Sequence, residues 1–355
     1  MDYKRVVDIL DKFELDAIIT SDGYNMRYVS GFSGATGFMY VSKQQKVIIT
    51  DSRYTIQARD QAYGFEVFEI SIQKKYKDWL TEILKNEKVK RIGFDNASIS
   101  YSEYILLQSI DETYELVKLD SALSDLRIIK TSEEIENIAV AESIGDKAFA
   151  QILDYIKPGM TELEVAARLE YIMKCEGAYK LSFDTIVASG INSSKPHAEP
   201  GHRIIQKGDF ITMDFGCVYK GYCSDMTRTI VIGKANDKQK SVYYTVLEAQ
   251  LRAMDVIKPG VKCADVDAVA RKYIDEAGYK GCFGHGLGHS LGLFIHESPA
   301  FSPSCNARLE TNMLETVEPG IYIEGFGGVR IEDLIVVTDD GFRNLTSSPK
   351  ELIEL

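Results

Sequence analysis

Apolar and polar positions alternate with two different periods along the first third of the chain. Short runs rich in Val, Ile and Phe fall at Asp16–Thr20, Phe38–Val41, Lys46–Thr50, Phe65–Ile70 and Arg91–Phe94, each of strand length. Between them, Val6–Leu10, Lys77–Leu84 and Ser102–Ser109 carry apolar residues at helical spacing. Strands interleaved with helices predict an α/β domain on a mixed sheet. This stretch contains no histidine and no cysteine, so it is expected to hold little chemistry. Its end is placed within Asp120–Leu126, giving domains 1–124 and 125–355.

The second region opens on a capping box. Thr131 stands three residues before Glu134, and an apolar face follows at Ile135, Ile138, Ala139 and Ala141. These predict a long helix running to about Ile156. Helix and hairpin patterns then mix, which makes this an α+β domain. It also repeats internally. Ile156-Lys157-Pro158-Gly159-Met160 recurs as Ile257-Lys258-Pro259-Gly260-Val261, an offset of 101 that also aligns Val165 with Val266 and Gly177 with Gly278. Each copy reads as a helix end, a Pro-Gly turn and a second helix closed by glycine. A duplicated unit with a pseudo-twofold axis follows, with too few copies for a solenoid.

At 355 residues the chain has room for two domains and a core that needs no disulfide or structural metal. It carries 41 Lys+Arg against 53 Asp+Glu, a net charge of −12. No basic stripe offers counterion release, so neither nucleic acid nor an anionic membrane is an expected partner. The six cysteines form no CxxC pair, which suggests a reducing, cytoplasmic setting. The charged first residues predict no signal peptide, and no run reaches the ~18 apolar residues of a membrane span.

Two hairpin patterns gather the acidic residues. In Ile211–Ile232, Asp214 and Asp225 sit almost symmetrically about Tyr219-Lys220-Gly221, so an antiparallel ladder would set them face to face. In Thr316–Val337, Glu318 and Glu332 flank Gly325-Phe326-Gly327-Gly328 in the same way. Aspartate is depleted from strands, and facing carboxylates repel unless a cation or proton lies between them. Four such groups suit two divalent ions, with Mn²⁺, Co²⁺ and Zn²⁺ all compatible.

All five histidines lie in this region. His285, His289 and His296 fall within twelve residues among four glycines, and imidazole is a common partner of carboxylates at a metal. His197 is the fourth candidate, while His202, in a polar loop, is expected at the surface. Gly288-His289-Ser290-Leu291-Gly292 matches the nucleophile-elbow pattern, but the only later histidine is six residues on, which disfavours a serine hydrolase. His296-Glu297 does not continue into HExxH, because Ala300 stands where the second histidine would be.

Together PHA at 196–198, DFG at 214–216, SDMTRT at 224–229, GHGLGHSLGLFIHESP at 284–299, EPGIYI at 318–323 and GVRIED at 328–333 resemble the aminopeptidase P/prolidase/creatinase family of pita-bread metallopeptidases. YVSGFSGATG and DSRYTIQA resemble that family's creatinase-like N-terminal domain. The resemblance spans the whole chain. It implies a dinuclear site with Asp214, Asp225, His289, Glu318 and Glu332 as ligands, Mn²⁺ foremost. It further implies that His197, His285 and His296 line the substrate site, that Glu318 shuttles a proton, and that Arg330 steadies the carboxylates. The implied activity is removal of the residue before proline from a peptide's N-terminus, as an Xaa-Pro aminopeptidase acting on peptides with proline second. Alternatives are an Xaa-Pro dipeptidase, a catalytically silent peptide-binding module and a hydrolase of non-peptide amides. The complete ligand set disfavours creatinase itself. A dipeptidase needs a cation for the proline carboxylate, and the one arginine between His289 and Arg330 is Arg308, the carboxylate-clamp candidate. The resemblance also implies a homodimer.

Overall fold

The computed structural model describes residues 3–110 and 113–355. The chain falls into two compact units, one ending at Arg127 and the other beginning at Ile128.

The first unit is a six-stranded mixed sheet. Its strands are β1 (Ala17–Thr20), β2 (Phe38–Ser42), β3 (Lys46–Thr50), β4 (Glu66–Glu69), β5 (Arg91–Phe94) and β6 (Glu115–Lys118), in the order β4-β3-β2-β1-β5-β6. Its helices are α1 (Tyr3–Lys12), α2 (Gly23–Ser30), α3 (Thr55–Gln61), α4 (Tyr76–Glu87) and α5 (Tyr101–Gln108). The pleat sends Ile18, Met39 and Ile48 into one core with Val6, Leu10 and Met26. It sends Ile19, Phe38, Val47 and Ile49 into another with Leu80 and Ile83 of α4. Coverage of both faces explains why these strands read as unbroken apolar runs. The hydrophobic pattern did not predict α2, α3 or β6. In α3 only Thr55 and Ala58 are buried, which is too little for a visible stripe. For α2 the ends decide: the Asp22 carboxylate accepts from the Asn25 N–H at 2.6 Å, and Gly31 closes the helix at φ 83°.

The second unit carries two helix pairs, α6 (Ser132–Leu153) with α7 (Glu162–Cys175) and α8 (Asp237–Asp255) with α9 (Cys263–Ile274). The Thr131 box is present: its N–H donates to Glu134 Oε2 at 2.8 Å and its hydroxyl accepts from the Glu134 N–H at 3.3 Å. The helix stops at Leu153, short of the expected Ile156, because the chain is already tightening toward the Pro158-Gly159 turn. In both repeats the turn glycine has a left-handed backbone, φ 96° at Gly159 and 87° at Gly260. Each is tied down alike, Gly159 N–H to the Ile205 carbonyl at 2.9 Å and Gly260 N–H to the Leu309 carbonyl at 2.8 Å.

Each helix pair packs on its own strands. These are β7 (Lys180–Leu181), β8 (Ile186–Ser189), β9 (Phe210–Phe215), β10 (Cys217–Tyr219), β11 (Tyr222–Cys223) and β12 (Met226–Val231), then β13 (Gly288–Ser290), β14 (Glu297–Phe301), β15 (Leu314–Val317), β16 (Gly320–Ile323), β17 (Gly327–Arg330), β18 (Asp333–Val337) and β19 (Phe342–Asn344). Ile144, Phe149, Leu169 and Ile172 meet Ile211, Met213, Phe215 and Ile230 in one core. Val246, Ala249, Val266 and Ala270 meet Val317, Ile321, Val329 and Ile335 in the other.

Both carboxylate hairpins change sheet partway along. The first runs through the sheet β12-β9-β8 and then β11-β10-β7, the second through β15-β18-β19 and then β16-β17. This corrects the expected register of the first. Asp214 lies opposite Thr227, not Asp225, because the turn is made by Lys220 and Gly221, both left-handed at φ 46° and 96°. Asp225 sits just before β12, where the ladder is interrupted. In the second hairpin Val317 pairs with Asp333 and Gly320 with Arg330, so Glu318 and Glu332 come level at the break between the two ladders. No helix among the described residues is long and apolar enough to cross a membrane.

The approach of β13 to β15 requires glycine. A Cβ on Gly288 would lie 1.9 Å from the Thr316 carbonyl oxygen, whereas one on Gly284 would meet nothing within 4 Å. Gly288→Ala is expected to destabilise by at least the ~1–3 kcal/mol of an overpacked core, and Gly284→Ala to be near neutral. Denaturant unfolding of the two variants checks this; equal midpoints would mean that β13 can move away from β15 without penalty.

Candidate active site

The sheet changes leave the acidic residues facing one another in a cavity of about 560 Å³. Its wall includes His197, Asp214, Asp225, His285, His289, His296, Glu318, Arg330 and Glu332, together with apolar Phe183, Ile186, Ile295 and Ala300. Every site residue expected from the sequence is therefore in one place except Arg308. That side chain is exposed, and its guanidinium donates to the Gly260 carbonyl at 2.5 Å. The backbone explains why: Arg308 bridges Lys262 as Ile204 bridges Thr161, so it serves the repeated Pro-Gly turn and does not line the cavity. His202 is exposed, as expected. Ser290 is buried in a strand with its hydroxyl 3.3 Å from the Lys130 ammonium, which is no nucleophile elbow.

At the centre, His289 Nε2 lies 3.4 Å from Asp225 Oδ2 and 3.5 Å from Glu318 Oε1. Asp225, His289 and Glu332 each offer a ligand atom within 4.8 Å of the others. His289 Nδ1 is 3.1 Å from the Ser290 carbonyl. A proton on Nδ1 makes that bond and leaves the Nε2 lone pair pointing at the carboxylates. The main chain of the three acids is tied to other elements. Asp225 N–H donates to Glu142 at 3.3 Å, Glu318 N–H to the Leu287 carbonyl at 2.8 Å, and Glu332 N–H to the Thr227 carbonyl at 3.1 Å.

Arg330 is the cation inside the cavity wall. It donates to Asp214 Oδ2 at 2.6 Å, Thr227 Oγ1 at 3.0 Å, Tyr322 Oη at 2.7 Å and the Pro196 carbonyl at 3.3 Å. Thr227 in turn donates to Glu332 Oε2 at 2.6 Å. Asp214 Oδ1 and Glu332 Oε1 are buried without a hydrogen-bond partner. Burial, then the charges of Asp214 and Glu318, push the Asp225 carboxyl well above its ordinary value. Burial, then Asp225 and Glu318, do the same to Glu332. Burial also raises Glu318, despite His289. Behind them Glu142 is fully buried, its carboxyl pushed up to about 8 by burial, with Thr346 donating to it at 2.6 Å.

This donor set fits divalent cations. Hard oxygen ligands, one imidazole and two orphaned buried oxygens make a site whose electrostatics favour positive charge. Tyr322, Thr227, Thr316 and Glu142 were missed as site residues from the sequence. Tyr322 and Thr227 lie inside recognised motifs without an assigned task. Glu142 left a different trace, an acid on the stripe Ile135, Ile138, Glu142, Gly145 and Phe149, all buried.

The histidines form the remaining walls. His285 Nδ1 meets the Gly286 carbonyl at 2.8 Å, and its Nε2 lies 2.9 Å from Tyr322 Oη. Burial, helped by Arg330, pushes its pKa down to about 4, so the ring is neutral at neutral pH. Burial and His289 also lower His296, whose ring packs edge-on to His289 at 4.6 Å.

The pattern of metallopeptidase family M24 matches residues 136–339, and the creatinase/prolidase N-terminal domain matches residues 3–129. An Xaa-Pro dipeptidase of Pyrococcus horikoshii is 39% identical over 99% of this chain and 98% of its own length. The solved structure of an Xaa-Pro dipeptidase from Bacillus anthracis superposes with a TM-score of 0.95 at 43% identity, covering 99% of this chain and 98% of that one. That of an X-Pro aminopeptidase from Thermotoga maritima superposes with a TM-score of 0.91 at 38% identity, covering 98% and 100%.

The raised carboxyls make a signed pH prediction. Between the ordinary carboxylate value near ~4 and their raised values, the folded metal-free protein binds more protons than the unfolded chain, so its stability falls as pH rises through that window. Cations need the ionised carboxylates, so metal uptake within the window must expel protons. Titration of metal-free protein with Mn²⁺ at pH 6, in two buffers of different ionisation enthalpy, should show net proton release. No release would mean that the carboxyls are already ionised.

Proposed function

The chain belongs to metallopeptidase family M24, and we propose that it is an exopeptidase that cleaves the bond before proline, with two divalent ions at its centre. The observation that supports this reading most is the cluster of Asp214, Asp225, His289, Glu318 and Glu332, in which one oxygen each of Asp214 and Glu332 is buried without a partner, on the wall of a mostly apolar cavity. Asp214, Asp225, His289, Glu318 and Glu332 would hold the ions, Mn²⁺ first and Co²⁺ or Zn²⁺ on the same donors. When bound, such ions supply Lewis acidity and bring the pKa of water toward neutrality. The relatives named for Xaa-Pro cleavage support the proline preference.

The chain's own residues do the rest. Phe183, Ile295 and Ala300 give a proline ring an apolar surface and exclude water. The substrate's free amine would pair with a cavity carboxylate, which would restrict cleavage to the N-terminus. Neutral His296 cannot serve as a fixed cation, but as a hydrogen-bonding group it can follow charge as it develops on the substrate, while His285, with both ring nitrogens engaged by Gly286 and Tyr322, shapes the wall. Glu318, its Oε1 accepting from Thr316 at 3.0 Å, stands where a carboxyl can take a proton and pass it to the leaving amine. Arg330 keeps Asp214 in place.

We favour an Xaa-Pro aminopeptidase. A dipeptide would bring a proline carboxylate into the cavity, yet Arg330 is committed to Asp214, Thr227 and Tyr322, and Arg308 is turned to Gly260. An Xaa-Pro dipeptidase is the second reading, favoured by the names of two of the relatives above. Comparing kcat/KM for an Xaa-Pro dipeptide with that for an Xaa-Pro-Yaa tripeptide decides. The tripeptide should be preferred, and a strong dipeptide preference would install the second reading.

Elemental analysis should find about two divalent ions per chain, with Asp225→Ala or Glu332→Ala losing most of both. Full occupancy in those variants would defeat the assignment. His197→Ala and His296→Ala should keep the metal and lose ~10²–10⁴ in turnover. Unchanged kinetics would return both to a packing role.

A further inference from the structure

We propose that Glu162, outside the cavity, is a positioning residue that sets His197 against the substrate by clasping both ends of the loop that carries it. The proposal rests on the catalytic part given above to His197.

Glu162 is the first residue of α7 and is fully buried. Its Oε1 accepts from the Ser189 N–H at 2.7 Å, the Ser189 hydroxyl at 2.8 Å and the Asn192 amide at 3.1 Å. Its Oε2 accepts from the Gly201 N–H at 3.2 Å and again from Asn192 at 3.2 Å. Ser189 and Asn192 open the segment, and Gly201 closes it. Between them Pro196, His197, Ala198, Glu199 and Pro200 all line the cavity. The start of α7 adds main-chain bonds, its Glu162 N–H to the Arg203 carbonyl at 3.2 Å and its Leu163 N–H to the Gly201 carbonyl at 3.1 Å. A short helical turn at Gly190–Ser194 carries the segment forward, and Ser193 accepts from the Gly328 N–H at 2.8 Å. Arg330, which also holds Asp214, reaches the Pro196 carbonyl at 3.3 Å. His197 itself is exposed, so the placing of its ring depends on the backbone that carries it.

The opposite wall has an independent clasp of the same kind. On α9 the buried Asp267 accepts from Arg271 and from the Leu287 N–H at 3.0 Å, while Arg271 donates to the carbonyls of Phe283 at 2.9 Å and His285 at 2.7 Å. The two acids do not occupy equivalent places in the repeat, since Glu162 corresponds to Cys263 and Asp267 to Ala166. Each half of the duplication therefore has its own buried acid at a different place on its second helix, and each acid holds a segment bearing a cavity histidine.

An amide in place of the carboxylate would turn an N–H toward a backbone N–H at one end of the loop. The test is a cycle of Glu162→Gln, His197→Ala and the double variant on metal-loaded enzyme with an Xaa-Pro-Yaa peptide. Glu162→Gln should keep its metal and lose about 10–100-fold in kcat, as expected of a misplaced group. In the His197→Ala background the same change should cost less than about 2-fold, because its effect passes through that ring. Glu162→Asp, which keeps the charge, should recover part of the loss. Wild-type kcat in Glu162→Gln, or losses that multiply in the double variant, would overturn the proposal. If Glu162→Gln does not fold, Asn192→Ala removes one donor from the same clasp. It should lower kcat only when His197 is present, and a loss independent of His197 overturns the proposal equally. An unimpaired His197→Ala enzyme would instead refute the role assigned to His197.

Discussion

Mutual repulsion among buried carboxylates is the constraint on which this structure turns. Two unit charges 4 Å apart repel by ~4 kcal/mol at the effective dielectric typical of proteins. Folded chains have only about 5–15 kcal/mol to spare. Asp214, Asp225, Glu318 and Glu332 share one cavity wall, with a single guanidinium among them. Ionising all four costs stability unless positive charge is supplied or protons are retained, which is why burial and mutual repulsion raise these carboxyls and why the cluster favours cations. The close approach of Gly288 to Thr316 and the sheet changes in both hairpins accompany the gathering of those side chains.

Much of this was legible in the sequence. The Thr131 capping box, the 101-residue repeat and the β-branched runs each have a local cause, so each could be read locally. The second hairpin was legible too, because its symmetry about Gly325 survives in the register. In the first the turn centre lies one residue further along than the symmetry of the aspartates suggests, which moves the partner of Asp214 by two residues, from Asp225 to Thr227. Its turn uses a lysine with left-handed backbone, a conformation rare enough outside glycine that the symmetry was drawn about the wrong point. In the sequence Arg308 stands out only as the one arginine between His289 and Arg330, and the repeated turn geometry shows what it does. Tyr322 and Glu142 act through contacts with residues 8 and 83 positions away, to which no local pattern corresponds.

The histidine walls illustrate a second division of labour. Burial holds His285 neutral, and the carbonyl bond at its Nδ1 presents Nε2 to the Tyr322 hydroxyl. That chain continues through Tyr322 and Arg330 to Asp214. A ring in the cavity wall and a carboxylate at its centre are thus oriented by one set of hydrogen bonds, and neither can turn without disturbing the other.

The breaks in the two hairpins also bear on transplantation. Asp225, Glu318 and Glu332 leave their own ladders where their side chains matter, and their main-chain N–H groups bond to Glu142, Leu287 and Thr227 instead. Copying the two hairpins into a foreign scaffold would carry over the acids but not the partners that aim them. A designer who wanted this centre elsewhere would have to move the helix bearing Glu142 and the glycine-rich segment bearing Leu287 as well, which amounts to moving most of the second unit.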